Sequence, residues 1–352
     1  MSSSPVASHI ETHAHEIAGQ AWVELQSSYD DIEERFGPEA EALWIEHLQQ
    51  RLIELAVALG AGDSDLFAAR LAWSRSAMQA RGLTATDIDN SLNALRSALS
   101  SKLNETEASV ACKCIDQANE VNLAASDAGL QSQLDPGLSN HRLALQYIQA
   151  VVAGNVLPGM ELVLDAVEHG LSIKDAYLQV LLPAQTEVGR LWHLNSISVS
   201  EEHLVSYTTQ RLMATLASRA ERKPDNGYTA IAGSVVGNVH DIGIRAIAYL
   251  MEIEGWRTIY LGSDIPQSEL PNTLDSYEAD ILLLSVALTS QLPDTQRTIE
   301  SVREKSTQNV KVLIGGNGLS GNSELWRELG ADGYAAGADQ AMSLALELAA
   351  QR

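Results

Sequence analysis

The sequence has 352 residues, of which 45% are hydrophobic and 20% charged, and its 46 acidic against 23 basic side chains leave a net charge of −23. This is the composition of a soluble globular chain of two or three domains. The acidic surplus argues against direct nucleic-acid binding, and no run approaches the roughly 20 apolar residues of a membrane span. The N-terminus lacks the basic start and apolar core of a secretory signal, so the expected location is cytoplasmic. Cys112 and Cys114 are expected as reduced, packed thiols, too few for a structural zinc site.

Residues 10 to about 128 read as helices. Leu43, Trp44, His47, Leu48, Leu52, Leu55 and Leu59 recur at three- and four-residue spacings, an amphipathic stripe that begins near Pro38 and stops near Gly60. A second helix is capped by Asp63 or Ser64 and stopped by Gly82. A third opens with Thr84 and Asp87, a capping box with a short acid. A further helix contains "ACKC". No strand pattern interrupts the region, which predicts an all-helical bundle or a globin-like domain over 1–130. His9, His13 and His15 read as disordered surface.

A polar linker with Pro136 and Gly137 leads to a second helical block over 141–222, predicted as a four-helix bundle. After the linker "KPDNG" the period changes. "YTAIAGSVV", "RTIYLG", "ADILLLSVAL" and "KVLIGG" are short apolar runs separated by helical stretches, the pattern of a parallel doubly wound sheet over 228–352. Ligands bind such folds at the loops after the strand C-termini.

Those loops carry the candidate chemistry. The first holds Asn238, His240, Asp241, Ile242 and Gly243; the second, "YLGSDIP", holds Gly262 and Asp264; the third holds Ser285 and Leu288; the fourth holds Gly315 and Gly316. A dinucleotide fold wants three glycines in its first turn, and Gly237 and Gly243 stand at the wrong spacing. Taken alone, His240 is a polar residue on a tight turn or a metal ligand. In the preceding block, Trp192 is followed directly by His193 and, with nine residues between, by Glu202-His203. Taken alone, Trp192 reads as core and the pair as a solvated helix start.

Together these loops resemble the cobalamin-binding Rossmann domain, which carries Asp-X-His-X-X-Gly, a Ser-X-Leu variant and Gly-Gly. The resemblance implies that His240 is the lower cobalt ligand, replacing the cofactor's own base. The freed nucleotide tail would then pass Gly243, contact Ser285, and find room at Gly315 and Gly316. Asn238 departs from the family, standing where an acid would raise the ligand's basicity. An amide there can hold the tautomer but supplies no charge. On this basis, Asn238→Asp is expected to tighten ligation.

The Trp192-to-His203 segment resembles the CarH-type light sensors, whose chromophore is adenosylcobalamin. This implies that Trp192 packs over the upper axial group, that Glu202 and His203 line the adenosyl pocket, and that His193 takes the upper cobalt position after light breaks the Co–C bond. The acidic helical region replaces the DNA-binding domain of those sensors. The whole layout resembles the photocobilins, which add biliverdin, with His47, Arg70, Trp73, Arg75 and Arg81 as candidate tetrapyrrole contacts and Cys112 or Cys114 as conceivable attachment points.

The expected fold is α and α/β multidomain: an N-terminal helical domain, a four-helix-bundle cap and a C-terminal Rossmann-like, flavodoxin-like cobalamin-binding domain. The expected function is light sensing without catalysis, with light-dependent homo-oligomerisation, an unidentified protein partner, no direct nucleic acid and no membrane. The alternative is a corrinoid carrier of a methyltransferase system. A mutase fragment lacks its substrate barrel.

Overall fold

In the computed structural model, residues 4–124, 131–319 and 324–351 are described. The chain forms two compact units, one of Met1–Ala128 and one of Gly129–Leu319 with Ser323–Arg352. Among the described residues, no helix is long and apolar enough to cross a membrane. The described part of the first unit is helical: α1 Pro5–Gln26, α2 Ile32–Phe36, α3 Ala40–Ala61, α4 Ser64–Ala80, α5 Ala85–Lys102 and α6 Glu105–Ala124. The end of the domain expected over 1–130 lies outside the described residues. Local chemistry sets the boundaries. Gly62 in the left-handed region (φ 64°) ends α3, Asp63 caps α4, and Thr84 and Asp87 form the expected capping box of α5. Ile10, Ile17, Leu48, Leu52, Leu55, Phe67 and Leu92 form the core. Leu43, expected in the buried stripe, is 57% exposed instead. His9, His13 and His15 lie on ordered α1, where His9 Nδ1 is 3.2 Å from Glu107 Oε2.

The second unit begins with a helical cap: α7 Ser139–Val152, α8 Val156–Glu168, a rod running through α9 Ile173–Asp175, a π-helical segment Ala176–Leu181 and α10 Leu182–His193, and then α11 Val199–Arg219. The π segment adjoins Pro183, which has no N–H for the carbonyl four residues back, so the ladder loosens there. Tyr147 and Tyr177 are fully buried in the cap. Tyr177 donates to the Met213 carbonyl, and Tyr147 is 2.8 Å from Thr209 Oγ1.

The α/β layer then follows in chain order: β1 Thr229–Val235, α12 Ile242–Ile253, β2 Arg257–Ile265, α13 Leu270–Tyr277, β3 Ile281–Ser285, α14 Leu292–Lys305, β4 Lys311–Gly315, α15 Leu325–Glu328, β5 Gly333–Ala335 and α16 Ala338–Ala349. All strand pairings are parallel and the order is β2-β1-β3-β4-β5. Chain direction reverses its walk between β1 and β3, which makes their C-terminal ends the switch point where such folds bind ligands. β5 was missed in the sequence because three residues are too few to show a period. "YLGSDIP" is not a free loop, since Gly262 and Asp264 lie within β2, where the register to β1 slips twice.

The cap and the sheet, expected as separate domains, share one unit. Ala246 and Leu250 of α12 belong to the same apolar cluster as the cap core. Two contacts fix how α11 runs. Gln210 Nε2 lies 3.5 Å from Asp241 Oδ1 at the start of α12, and the Lys223 N–H donates to the Ile253 carbonyl at its end (2.8 Å). Helix α11 therefore runs alongside α12, and its first half stands beyond the C-terminal edge of the sheet.

Candidate functional site

The segment between β1 and α12 turns at Gly237 (φ 75°) and is pinned from three directions. Gly237 N–H donates to Asp264 Oδ1 (2.7 Å), and the Gly237 carbonyl accepts from Gln291 Nε2 (3.0 Å). Gln291 Oε1 accepts in turn from the Ala287 and Leu288 N–H groups (both 3.0 Å). The third anchor is Asn238, 0% exposed. Its Nδ2 donates to the Ser285 carbonyl (2.9 Å) and its Oδ1 accepts from the His240 main-chain N–H (2.9 Å). Gln291 carried no sequence signal; a glutamine after a strand is ordinary until its two ends are seen to bridge two loops.

Above these anchors His240 is exposed, and neighbouring Val239 is 72% exposed. His240 Nδ1 lies 3.3 Å from Asn238 Oδ1. With the proton on Nδ1 facing that acceptor, Nε2 carries a lone pair and points outward, the state of a metal-binding imidazole. Asp241, by contrast, is structural. It is buried and accepts from Tyr260 OH (2.5 Å) and Arg245 Nη2 (2.7 Å). Burial, reinforced by that carboxylate, pushes the Tyr260 phenol above its ordinary range. Ile242 packs on the cap core.

The glycines divide into two kinds. A Cβ on Gly243 or Gly262 would meet nothing within 4 Å, so open space lies beside the loop. A Cβ on Gly315 would lie 2.6 Å from the Ala335 carbonyl oxygen, and one on Gly316 2.5 Å from that of Val286. The room expected at this pair is therefore filled by main chain, and these glycines let β3, β4 and β5 and their loops approach. Ser285 acts through its carbonyl, which holds Asn238. Leu288 closes the same loop through its N–H.

In the cap, Trp192 is half-buried against the apolar core and His193 is 6% exposed. Glu202 and His203 lie on the first turns of α11. His203 Nδ1 donates to Glu202 Oε2 (2.5 Å), and its side chain is 62% exposed. Tyr207, one turn on, is 68% exposed and edge-on to the His203 ring. Sequence reading passed over it because an aromatic on an amphipathic helix reads as core.

In the first unit, the cations expected to hold a tetrapyrrole are already engaged. Arg70 lies 3.1 Å from Glu54 and over the Trp73 ring, Arg75 donates to Asn119 (2.5 Å), and Arg81 donates to the Ala77 carbonyl (3.0 Å). Burial and the charge of Arg51 push His47 down to about 3. Burial pushes the Cys114 thiol up to about 11, which disfavours the thiolate that covalent attachment requires.

Among the described residues no three His, Cys, Asp or Glu side chains converge as metal ligands. An ion held by His240 therefore needs its remaining ligands brought with it, which is what a corrin ring provides. The outward Nε2, the exposed Val239 and the open space at Gly243 fit such a group.

Comparison with known proteins agrees. Residues 228–343 match a B12 binding domain family, and residues 143–217 match a second B12 binding domain family. A corrinoid protein of Desulfitobacterium hafniense is 28% identical over 203 residues, 56% of this chain and 93% of that protein. Dimethylamine corrinoid protein 3 of Methanosarcina mazei is 33% identical over 122 residues, 34% of this chain and 71% of that protein. The structure of the Methanosarcina barkeri monomethylamine corrinoid protein superposes with a TM-score of 0.52 at 24% identity, covering 60% of this chain and 100% of that one, and shows the same fold. Neither B12 binding match reaches residues 1–142.

These relatives correct the light-sensor expectation. They are named corrinoid proteins, two of them for methylamines. The two B12 binding domain matches cover the helical cap and the sheet and say nothing of what a corrinoid carries there. Light sensing rested on the Trp192-to-His203 spacing, and His193, assigned there to the upper cobalt face, is enclosed in the cap. Light-driven Co–C cleavage, the light-dependent oligomer and a biliverdin-based function fall with that reading.

Proposed function

The chain belongs to the corrinoid proteins, and from that premise we propose that it is a methyl carrier, holding a cobalamin at the C-terminal edge of the sheet and presenting it to a methyltransferase. The observation that carries cobalamin binding is the Asn238–His240 pair, a buried, hydrogen-bonded amide beneath an exposed imidazole; the carrier role is supported by the named corrinoid relatives. When bound, the corrinoid supplies a cobalt centre that accepts and releases a methyl group. The chain's own part is to hold and orient it. His240 supplies the lower ligand, Asn238 fixes its tautomer, and Asp264, Gln291 and the Ser285 carbonyl keep the loop from moving. Helix α11, standing beyond the sheet edge, would cover the group from the side of the cap.

The upper group is methyl in this reading, in place of the adenosyl group first expected, and the partner is the methyltransferase protein. The names of the relatives support a methylamine as the methyl source. The chain acts as carrier and the partner as catalyst. The test is reconstitution. The chain loaded with hydroxocobalamin and reduced is mixed with a dimethylamine methyltransferase and dimethylamine. Appearance of the methylcobalamin spectrum is expected. Cobalamin binding without methylation by this or another methylamine system would remove the carrier assignment.

A further inference from the structure

We propose that His203 is a second imidazole for the cobalt, closing the face opposite His240 when no methyl group is carried. This rests on the carrier reading. Metal-binding histidines characteristically tie their second ring nitrogen to an oxygen that fixes the tautomer. Three exposed histidines of the second unit show that arrangement; His169 Nδ1 faces the Asp165 carbonyl of its own helix at 2.7 Å, and the other two belong to the turn after β1 and to α11. His240 Nδ1 faces Asn238 Oδ1 at 3.3 Å, and His203 Nδ1 faces Glu202 Oε2 at 2.5 Å. In both, Nε2 is the nitrogen left for a ligand.

The Glu202 carboxylate is itself held from inside the cap. Ser206 Oγ lies 2.6 Å from Glu202 Oε1 and 3.0 Å from Gln185 Oε1. Gln185 Nε2 donates to Thr209 Oγ1 (2.7 Å), and Thr209 Oγ1 is 2.8 Å from Tyr147 OH. Thr209 and Tyr147 are fully buried. The Ser206 hydroxyl, whose single proton is shared between these two acceptors, ties the Glu202 carboxylate to the cap, and that carboxylate in turn orients the exposed imidazole.

The helix places that imidazole on the right side. Residues 203, 207 and 210 share one face of α11 at helical spacing. Gln210 marks that face, because it touches Asp241, the residue next to His240. His203 stands about 10.5 Å further along the helix, two turns beyond the sheet edge. His193, although adjacent to Trp192, is 6% exposed.

The test uses the full chain loaded with hydroxocobalamin, with added azide competing for the upper position. The wild-type protein is expected to show an imidazole-ligated cobalt(III) absorption spectrum that resists azide. H203A is expected to take azide at least ~10-fold more readily, since a tethered imidazole competes at high effective concentration. Glu202→Gln is expected to fall between the two, and His193→Ala to match the wild type. Equal azide uptake by the wild type and H203A overturns the proposal while leaving the carrier reading intact, as does opening of the upper face by His193→Ala rather than H203A. Failure of the wild type to bind hydroxocobalamin at all overturns both.

Discussion

Two histidines, one in a helix and one in a turn, end in opposite situations. His47 lies on α3 among Trp44, Leu48 and Arg51, and His240 lies in a turn between apolar elements. Burial and the neighbouring guanidinium hold His47 neutral, with its pKa pushed down to about 3. Around it, Arg51 and Arg70 both lean on the single buried carboxylate of Glu54. Beneath His240 the buried polar group is a neutral amide with its donor and acceptor both satisfied, and the imidazole faces out. An imidazole becomes a ligand when the polar group behind it is buried and the ring is not. In the helical unit burial and a neighbouring guanidinium act on the ring itself, and His47 is held in the neutral state.

The contrast can be broken from the side of the loop. Gly316→Ala puts a Cβ against the Val286 carbonyl at a φ of +103°, and Val286 is bonded to Gly315 and Gly318 across the β3 and β4 loops. A loss of about 3 kcal/mol or more is expected in denaturant unfolding of the second unit. Asn238→Asp follows. It removes the N–H given to the Ser285 carbonyl and sets a carboxylate oxygen against it at a fully buried position. A loss of about 2–3 kcal/mol is expected at neutral pH, read from the same unfolding curves. The expectation drawn from sequence, that the acid tightens ligation, is read separately, from cobalamin affinity. An Asn238→Asp variant as stable as wild type would show that the amide is dispensable.

From the other side, the neutral His47 ring belongs to the folded state. Unfolding returns it to its ordinary value of 6.5, so the unfolded chain takes the proton first. The stability it contributes is full above that value and declines as pH falls toward 3, by at most about 1.4 kcal/mol per pH unit. Melting of the helical unit against pH should show this slope, and His47→Gln should flatten it. The smallest effect belongs to Gly243→Ala. With open space around its Cβ and a place in the first turn of α12, it should leave stability unchanged or raise it by less than about 1 kcal/mol. Cobalamin binding should nevertheless weaken, since the added methyl occupies the space beside the loop.

Much of this was legible in the sequence because it rests on periodicity. The helical block, the cap and the four longer strands follow from apolar spacing, and His240 stood out between two glycines after a strand. What was not legible depends on partners distant in the chain. Gln291 bridges two loops, Asp264 receives Gly237 from a neighbouring strand, and the Ser285 carbonyl explains why residue 238 is an amide. At Gly315 and Gly316 main chain fills the space that sequence reading gave to a ligand, because sequence does not show what lies beside a glycine. Spacing in the Trp192-to-His203 segment did not show which of its histidines is enclosed: His193 is 6% exposed and the His203 side chain 62%.

The central claim is that His240 Nε2 is the lower cobalt ligand. The most direct measurement is the electron paramagnetic resonance spectrum of the cobalt(II) cobalamin-loaded chain, prepared with and without isotopically labelled histidine. A nitrogen splitting that changes with the histidine label, that is kept in His203→Ala and is lost when His240→Ala is added to His203→Ala, is the predicted result. A splitting indifferent to the label, or unchanged when His240→Ala is added to His203→Ala, would contradict the account.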